Sequence, residues 1–422
     1  MRIPRSAFVT PGQNTAYGIF AVAVSVFVFA YSTRLGAVTV LLFYALWFPL
    51  ILIDYRHVIG NYARFWWILC FALFACLSFF WSAAPGVSLR GGIQYATTII
   101  CALIASRVID SRTLVIGSCI GTAIVLLYSL AFGSFFYDPI DGSYSFVGAF
   151  SSKNQLGFYA SLGLYFTFAS FFILQTGFLW RAVAAAIAML SAYSLIASSS
   201  ATSVIATAAT LCGVIGISLI LKFSPGHRRT FFWTGLIVAG VLGFTALNAG
   251  AIDLVLGAFG KDSTLTGRTY LWEEGIRAGK EFPIAGMGYQ AYWVQGFSEA
   301  ERLWDEFYIG SRNGFHFHNT YIEVFAELGY VGLALVVLLI FRVVFGNLQR
   351  LLHHADDPQA HLMFGVALML LIRSFFEIDF MQPYTIGSFL LYYSAGLIAI
   401  PQGERKITSV STGQAGMAPQ GT

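Results

Sequence analysis

The stretch TYIEVFAELGYVGLALVVLLIFRVVF, residues 320–345, is almost continuously apolar but carries Glu323 and Glu327 near its start. Coiled as an α-helix, a run of this length crosses the roughly 30 Å hydrocarbon core of a bilayer. Carboxylates are costly in hydrocarbon, so a membrane helix that contains two of them indicates an internal cavity or a polar partner at that depth. The stretch predicts a membrane fold and marks a place to look for function.

Similar apolar runs recur along the chain of 422 residues, of which 57% are hydrophobic and only 10% charged. This composition excludes an ordinary water-soluble globular protein. Membrane-spanning helices are predicted at 17–32, 37–53, 64–81, 92–109, 113–132, 155–176, 181–198, 203–222, 231–248, 320–345, 362–376 and 386–401. The fold class is an all-α polytopic membrane protein, with helices 1 to 9 in residues 1–248 and helices 10 to 12 in residues 320–401.

Basic residues alternate between the two predicted sides of the membrane. One side carries Arg2, Arg5, Arg56, Arg64, Arg107, Arg112, Arg181, Lys222, Arg228, Arg229, Arg342, Arg350, Arg405 and Lys406. The opposite short loops carry only Arg34, Arg90 and Lys153, with Arg373 near a helix end. The positive-inside bias then places both termini in the cytoplasm, including a disordered tail at 402–422. The net charge of +4 reflects this topology and does not indicate a nucleic-acid partner.

Two outer loops stand out in this topology, a medium one at 133–152 and a large periplasmic one at 249–319. Loops of the second length are usually functional in compact proteins. Within it, LTGRTYLWEEGIRAGKEFPIAGMGYQAYW, residues 265–293, combines helical apolar spacing with a turn at Pro283, Gly286 and Gly288. The large loop is therefore predicted to contain short helices that lie over the outer mouth of the bundle.

Ionisable and amide side chains gather at the predicted outer ends of the helices. They are Arg90, Lys153 and Asn154, Arg268, the group His316, His318 and Asn319, Glu323 and Glu327, and Arg373 with Glu377. Arginine grips a diphosphate with two parallel hydrogen bonds, and lysine meets it as a point charge. Arg268, Arg90 and Lys153 are therefore predicted to bind a diphosphate group.

Several of these residues also have simpler interpretations. Arg373 and Glu377 are four residues apart and can neutralise one another on a helix. Lys153 can be an interfacial lysine, and Arg90 an ordinary loop charge. The stretch ASSSATS, residues 197–203, is attributed to helix packing and capping rather than to a nucleophile. All five cysteines lie in apolar runs without metal-ligand spacing, which indicates packing residues.

Three interpretations compete for FHFHNTY, residues 315–321. The histidines can bind a metal, although no third ligand at a known spacing supports this, or they can be buried structural side chains. Alternatively, a neutral imidazole accepts a proton from a hydroxyl as a general base. The last is favoured for His318, because it directly precedes Asn319, which can cap the next helix. Glu323 and Glu327 then orient the base or line an acceptor pocket, with Asn154, His316, Asn319, Arg373 and Glu377 in support.

Five segments together carry a family resemblance: HFHNTYIEVFAELGYVGL, SSKNQLG, TLTGRTYLWEEGIRAGKEFPIAGMGY, FFWSAAPGVSLRGG and IRSFFEID. Over residues 81–379 the chain resembles the superfamily of bacterial O-antigen ligases and exopolysaccharide polymerases. The resemblance implies an inner-membrane enzyme that takes a glycan from undecaprenyl diphosphate at the periplasmic face and passes it to a sugar hydroxyl, without nucleotide, metal or other cofactor. It also implies that Arg268 and Arg90 contact the donor diphosphate and that His318 activates the acceptor, while Lys153 and Asn154 match a recurring motif.

The residue chemistry favours single displacement with inversion, because no carboxylate is clearly placed as a covalent nucleophile. The presence of one large outer loop favours an O-antigen ligase that transfers the glycan to lipid A-core. A polymerase that extends a lipid-linked glycan is the alternative. A transporter of lipid-linked sugars should show repeat symmetry or broken helices, and the sequence indicates neither.

Overall fold

The computed structural model describes residues 4–137, 142, 144–250, 257, 267–312 and 314–400. The described helices are α1 (Ser6–Val9), α2 (Thr15–Leu35), α3 (Ala37–Trp47), α4 (Pro49–Ile53), α5 (Tyr55–Ile59), α6 (Trp66–Leu77), α7 (Pro85–Val108), α8 (Ser111–Phe132), α9 (Lys153–Phe172), α10 (Phe178–Ala197), α11 (Ala201–Ile220), α12 (Pro225–Asn248), α13 (Arg268–Glu281), α14 (Ser298–Glu306), α15 (Thr320–His353), α16 (Pro358–Ser374) and α17 (Ile386–Ala399). Short 3-10 helices at Tyr62–Phe65 and Ser78–Phe80 flank α6. The all-α polytopic fold class is confirmed.

Each predicted membrane span coincides with one of these helices or with a consecutive pair. Eight described helical segments are long and apolar enough to cross a membrane, and α17 and the α3–α4 segment Ala37–Ile53 are shorter apolar helices. Helices α9 and α16 occupy the remaining two predicted spans. The predicted tail at 402–422 lies outside the described residues, as do positions 251–256 and 258–266 of the large loop.

Helix α17 is the centre of the bundle. All its residues from Ile386 to Leu397 are buried, and it packs against α7, α15, α16, α2 and α6. A helix that is apolar on every face must be surrounded by other helices, as this one is. By contrast, no residue in the most apolar stretch of α12 is buried, so this helix lies at the periphery.

The medium outer loop contains an antiparallel hairpin that the sequence did not predict. Strand β1 (Ser134–Tyr137) pairs with β2 (Tyr144–Gly148), and β2 packs on the outer ends of α8 and α9. Only β2 is largely buried. The hairpin leads into the Lys153–Asn154 helix start and thereby positions it.

Helix α15 is broken at Gly329, where the backbone leaves helical geometry with φ 62° and ψ −162°. The segment Pro283–Gly288 crosses this break. Tyr330 N–H donates to Pro283 O at 2.8 Å, and Gly288 N–H donates to Glu327 O at 2.8 Å. Backbone groups freed by a broken membrane helix need such partners. The sequence pattern did not indicate this break.

Two glycines allow the close crossing at this break. A Cβ at Gly329 would lie 2.4 Å from the Ile284 carbonyl carbon, and a Cβ at Gly286 would lie 2.2 Å from that of Glu327. Both glycines also have positive φ. The break separates an outer half-helix, which begins at Thr320, from the long inner part of α15.

The described part of the large loop, 267–312 and 314–319, contains the two short helices α13 and α14, in agreement with the prediction of short helices. They enclose a small hydrophobic cluster that is distinct from the main core of the bundle. Its buried members include Leu271, Met287, Tyr292, Trp304 and Phe317. Helix α13 packs on α15, so this ordered outer segment is attached to the broken helix.

Candidate active site

Four chain segments meet at one end of the bundle. They are the start of α9, the start of α13, the segment that leads into α15, and the residues that follow α16. Asn319 fixes two of them, because its Oδ1 accepts hydrogen bonds from the N–H groups of Tyr321 (3.0 Å) and Ile322 (3.2 Å), while its Nδ2 donates to Phe375 O at 3.1 Å. Thr320 adds a bond from its hydroxyl to Glu377 O at 2.7 Å. The predicted cap at Asn319 is thus present, and it also holds the chain beyond α16.

Glu377 is the buried centre of this meeting point. Its Oε1 accepts hydrogen bonds from Asn154 Nδ2 at 2.8 Å and from Arg268 Nη2 at 3.1 Å. Arg268 also donates through Nη1 to Phe376 O at 3.0 Å. Three residues far apart in sequence therefore form one polar cluster.

Both histidines face the same carboxylate. His318 Nδ1 lies 3.6 Å from Glu377 Oε1, and His316 Nε2 lies 3.9 Å from Glu377 Oε2. The backbone N–H of His318 donates to His316 Nδ1 at 3.0 Å, so a neutral His316 ring carries its hydrogen on Nε2. The site thus contains one carboxylate, one guanidinium and two imidazoles in contact.

His318 has a positive φ of 54°, which is uncommon for a residue with a side chain. Such conformations cost free energy and persist where the surrounding contacts impose them, often at functional sites. Here Glu323 accepts the Phe317 N–H at 2.8 Å, and Asn319 caps α15. The strained residue is therefore held on both sides.

The electrostatic environment favours a charged Glu377 and a neutral His316. Burial alone would raise the pKa of Glu377, but His318, Arg268 and His316 outweigh it and hold that pKa well below its usual range. Burial, together with the charge of His318, lowers the pKa of His316 to about 3. Glu377 therefore remains a carboxylate, and His316 remains neutral, over the pH range in which an ordinary imidazole titrates.

Glu323 and Glu327 are buried, but they face the outer segment rather than Glu377. Glu323 Oε1 accepts from Trp293 Nε1 at 3.0 Å, and the Glu327 carboxylate accepts from the backbone of Gln290. Through Phe317, Glu323 fixes the backbone between the two histidines. It thus restrains the backbone next to His318, and Glu327 helps to anchor the segment that crosses the helix break.

Arg373 and Glu377 do not form the i, i+4 pair that their spacing suggested. Helix α16 ends at Ser374, so Glu377 lies beyond it and its side chain is free of the helical register. Arg373 instead pairs with Asp379, with Nε 2.5 Å from Oδ2, and its guanidinium stacks over Phe158 at 4.2 Å from the ring centroid. Glu377 is thereby available to Arg268.

The remaining two predicted cations differ in position. Lys153 is the half-buried first residue of α9 and directly precedes Asn154. Arg90 is exposed in the second turn of α7, beside a surface cavity of about 310 Å³ lined by Ala84 to Val87. The contacts described here join Asn154, Arg268 and the histidines to Glu377, but do not include Arg90.

His316, His318 and Glu377 also present three possible metal-ligand atoms within 4.8 Å of one another. The structure thus supplies the third ligand that sequence spacing did not reveal. Hydrogen bonding disfavours that use, because His316 faces Glu377 with the nitrogen that carries its hydrogen, whereas metal-bound imidazoles coordinate through an unprotonated nitrogen. The Arg268 cation on the same carboxylate would also repel a metal ion. The cluster fits proton transfer better than metal binding.

Sequence reasoning missed several groups that complete the cluster. Ser200 donates to Asn154 Oδ1 at 2.8 Å, Arg373 donates to Ser203 Oγ at 2.9 Å, and Asp379 neutralises Arg373. The two serines belong to the stretch that was attributed to packing and capping, and Ser200 does cap α11. Their second role depends on long-range contacts, which a local sequence pattern does not contain.

Comparison with known proteins identifies the family of the chain. Residues 184–337 match a family model described as O-antigen ligase. The chain is also 55% identical over 421 residues to the exopolysaccharide production protein ExoQ of Rhizobium meliloti (strain 1021), a match that covers 100% of this chain and 97% of that protein. The family segment contains Arg268, His316 and His318, whereas Asn154 and Glu377 lie outside it.

Proposed function

Because the chain belongs to the O-antigen ligase-like superfamily of multi-pass membrane proteins, we propose that it transfers a glycan from a polyprenyl diphosphate to a sugar hydroxyl. The observation that carries this proposal is the position of the buried Glu377 carboxylate between the Arg268 guanidinium and the His318 imidazole. Transfer from a diphosphate needs a cation for the leaving group and a base for the attacking hydroxyl, and this cluster contains both.

His318 acts as the base in this proposal. Glu377 faces Nδ1, so it favours the tautomer with hydrogen on Nδ1 and a lone pair on Nε2. The acceptor hydroxyl attacks the anomeric carbon while its proton passes to Nε2. The bond between that carbon and the diphosphate oxygen breaks, and polyprenyl diphosphate leaves as an anion. This single displacement inverts the anomeric centre.

Arg268 acts as the cation for the leaving group. A guanidinium has five N–H donors. One contacts Phe376 O and one contacts Glu377, which leaves others for diphosphate oxygens. Lys153 and Arg90 add positive charge on the same side of the bundle, where a long-range field attracts an anionic donor.

The name of the relative favours a polymerase that extends an exopolysaccharide over a ligase that acts on lipid A-core. The single large loop had instead favoured a ligase in the sequence analysis. The donor is an undecaprenyl-diphosphate glycan in the bacterial inner membrane, and the active site faces the periplasm. The concentration of basic residues at the opposite helix ends, such as Arg107, Arg112 and Arg350, supports that orientation.

The test is a reconstituted transfer assay with an undecaprenyl-diphosphate oligosaccharide, alone or together with lipid A-core. Chain extension of the donor alone is expected, and transfer to lipid A-core would identify a ligase instead. His318→Ala should lower the rate by about 10²–10⁴-fold, because it removes the general base. His316→Ala should have a milder effect, and His361→Ala, a change on α16 at a histidine bonded to Ser218, should have none. Normal turnover by a folded His318→Ala protein would eliminate this mechanism, and chelator-sensitive activity restored by zinc would favour the metal interpretation.

A further inference from the structure

Three buried side chains link Arg373 to Glu377 through four consecutive contacts at hydrogen-bond distance. Arg373 Nη1 lies 2.9 Å from Ser203 Oγ, and the Ser203 and Ser200 hydroxyl oxygens lie 3.0 Å apart. Ser200 Oγ lies 2.8 Å from Asn154 Oδ1, and Asn154 Nδ2 lies 2.8 Å from Glu377 Oε1. The series joins the ends of α9, α11 and α16.

The donor and acceptor chemistry of these groups fixes how the Asn154 amide is turned. An ionised carboxylate can only accept, so the Asn154 NH₂ group must face Glu377. Ser200 is the donor in both of its side-chain contacts, to Asn154 Oδ1 and to Ser203 Oγ, although it has only one hydroxyl hydrogen. Because Ser203 Oγ already accepts from Arg373 and the contact with Asn154 is the shorter, the Ser200 hydrogen is directed to the Asn154 carbonyl oxygen.

From these contacts we infer that Ser200 is a positioning residue for the proposed base, because its hydroxyl fixes the orientation of the Asn154 amide and, through it, that of Glu377. An amide turned by 180° would present its oxygen to the Glu377 carboxylate, and the two would repel. Ser200 prevents this turn by holding the amide oxygen on the opposite side. The inference rests on the proposed function, since it concerns how His318 is oriented during glycan transfer.

A simpler role for Ser200 is to cap α11, since its hydroxyl accepts the Ser203 N–H at 3.3 Å. The two roles can be separated. Glycine is tolerated at helix N-caps with only a small loss of stability, but it cannot donate a hydrogen bond. Ser200→Gly thus removes the donor to Asn154 and largely preserves the cap. Ser203→Ala removes the competing acceptor of the Ser200 hydrogen and keeps the donor to Asn154. It also leaves the cap intact, since the capping bond uses the Ser203 backbone.

The experiment measures the rate of glycan transfer against pH for wild type, Ser200→Gly and Ser203→Ala in detergent or vesicles. Ser200→Gly should lower the rate roughly tenfold, the size expected when the Asn154 hydrogen bond to the charged Glu377 is lost. The pH of half-maximal activity on the acid side should move upward, because a Glu377 that has lost the Asn154 N–H retains more negative charge to stabilise protonated His318. Ser203→Ala keeps the Ser200 donor and should leave both quantities close to their wild-type values. The other charged or titratable groups around Glu377 and His318, which are Arg268, His316, Arg373 and Asp379, are the same in all three proteins.

The matched control is Ser194→Ala. Ser194 is equally buried on the neighbouring helix α10, but its hydroxyl donates to Leu190 O of its own helix. It should keep the wild-type rate and pH profile. A Ser200→Gly protein with near-wild-type melting temperature, rate and acid-side midpoint would overturn the inference, as would loss of rate at an unshifted midpoint in Ser200→Gly. In either case wild-type transfer would still support the proposed function, whereas no transfer by wild type would refute that function itself.

Discussion

Glu377 and its partners act through short-range electrostatics. An isolated buried carboxylate is unfavourable, and the donors Asn154 and Arg268 together with His318 offset that cost. The same contacts restrain the carboxylate on the Nδ1 side of His318. A change at Glu377 should therefore alter catalysis and pH dependence together.

Glu377→Gln tests this coupling. The amide keeps the shape but loses the charge that stabilises protonated His318, so the rate should fall by about 10²-fold or more. The remaining activity should persist to lower pH, since a base without a neighbouring carboxylate takes up its proton at lower pH. Because the pKa of Glu377 is depressed and that of His316 is about 3, neither group accounts for the acid-side loss in wild type. An unchanged acid-side midpoint in a folded variant would contradict the His318–Glu377 pairing.

Arg268→Ala tests whether the Arg268 guanidinium stabilises the diphosphate leaving group. Loss of a charge-assisted contact costs about 1.5–3 kcal/mol, which corresponds to roughly 10-fold to 100-fold in kcat/KM for the donor. Arg268→Lys should restore little, because lysine lacks the planar fork that contacts Phe376 and Glu377 and that is proposed to bind the donor. Arg277→Ala is the matched control, since Arg277 lies on the same helix with its side chain 67% exposed. A lysine variant as active as wild type would show that charge alone is sufficient.

Sequence patterns located these residues because ionisable groups are rare and conspicuous in an apolar chain. The side chains that they contact could not be predicted as well from the sequence. Spacing suggested that Glu377 pairs with Arg373, but α16 ends at Ser374, so the i, i+4 rule does not apply. Contacts such as Asn154 to Glu377 join positions 223 residues apart, and local pattern alone does not contain that information.

The broken helix α15 is the element that links the outer segment to the bundle. The membrane helices were predicted well because hydrophobic length is a local property of the chain. The break at Gly329 was not predicted, because a single glycine within an apolar run does not reveal it. What stabilises the break is a remote segment, Pro283–Gly288, whose backbone bonds replace the lost helical ones.

Gly329→Ala should therefore strongly destabilise the folded protein. The new Cβ would lie 2.4 Å from the Ile284 carbonyl carbon, and φ is 62°, a value that costs a residue with a side chain about 1–3 kcal/mol before any clash. Thermal unfolding in detergent should show a lower melting temperature, and transfer activity should fall because the half-helix carrying Glu323 shifts. Gly240→Ala on α12 is the control, since its Cβ would meet nothing within 4 Å. Equal melting temperatures for the two variants would refute the tight crossing.

At the scale of the whole molecule, the proposed active site lies at one end of the helix bundle, and most basic residues at the helix ends lie at the other. Asn154, Thr320 and Glu377 meet at one end, where α9 and α15 begin and α16 finishes. The ends of α7 and α15 near Arg107 and Arg350 lie at the other. The positive-inside bias assigns the second end to the cytoplasm, which places the proposed active site outside.

A topology experiment tests this assignment with single introduced cysteines and a membrane-impermeant maleimide on intact spheroplasts. Ser298 is exposed at the start of α14, on the side of the proposed site, and Gly226 is exposed near the start of α12 at the opposite end. Ser298→Cys should be labelled in intact cells, whereas Gly226→Cys should be labelled only after lysis. Cys212 is exposed on membrane helix α11, so the parent should have its five cysteines replaced by serine or alanine. The reverse labelling pattern would place the His318 cluster in the cytoplasm, where a glycan attached to a periplasmic donor could not reach it, and the proposed reaction would then have to be abandoned.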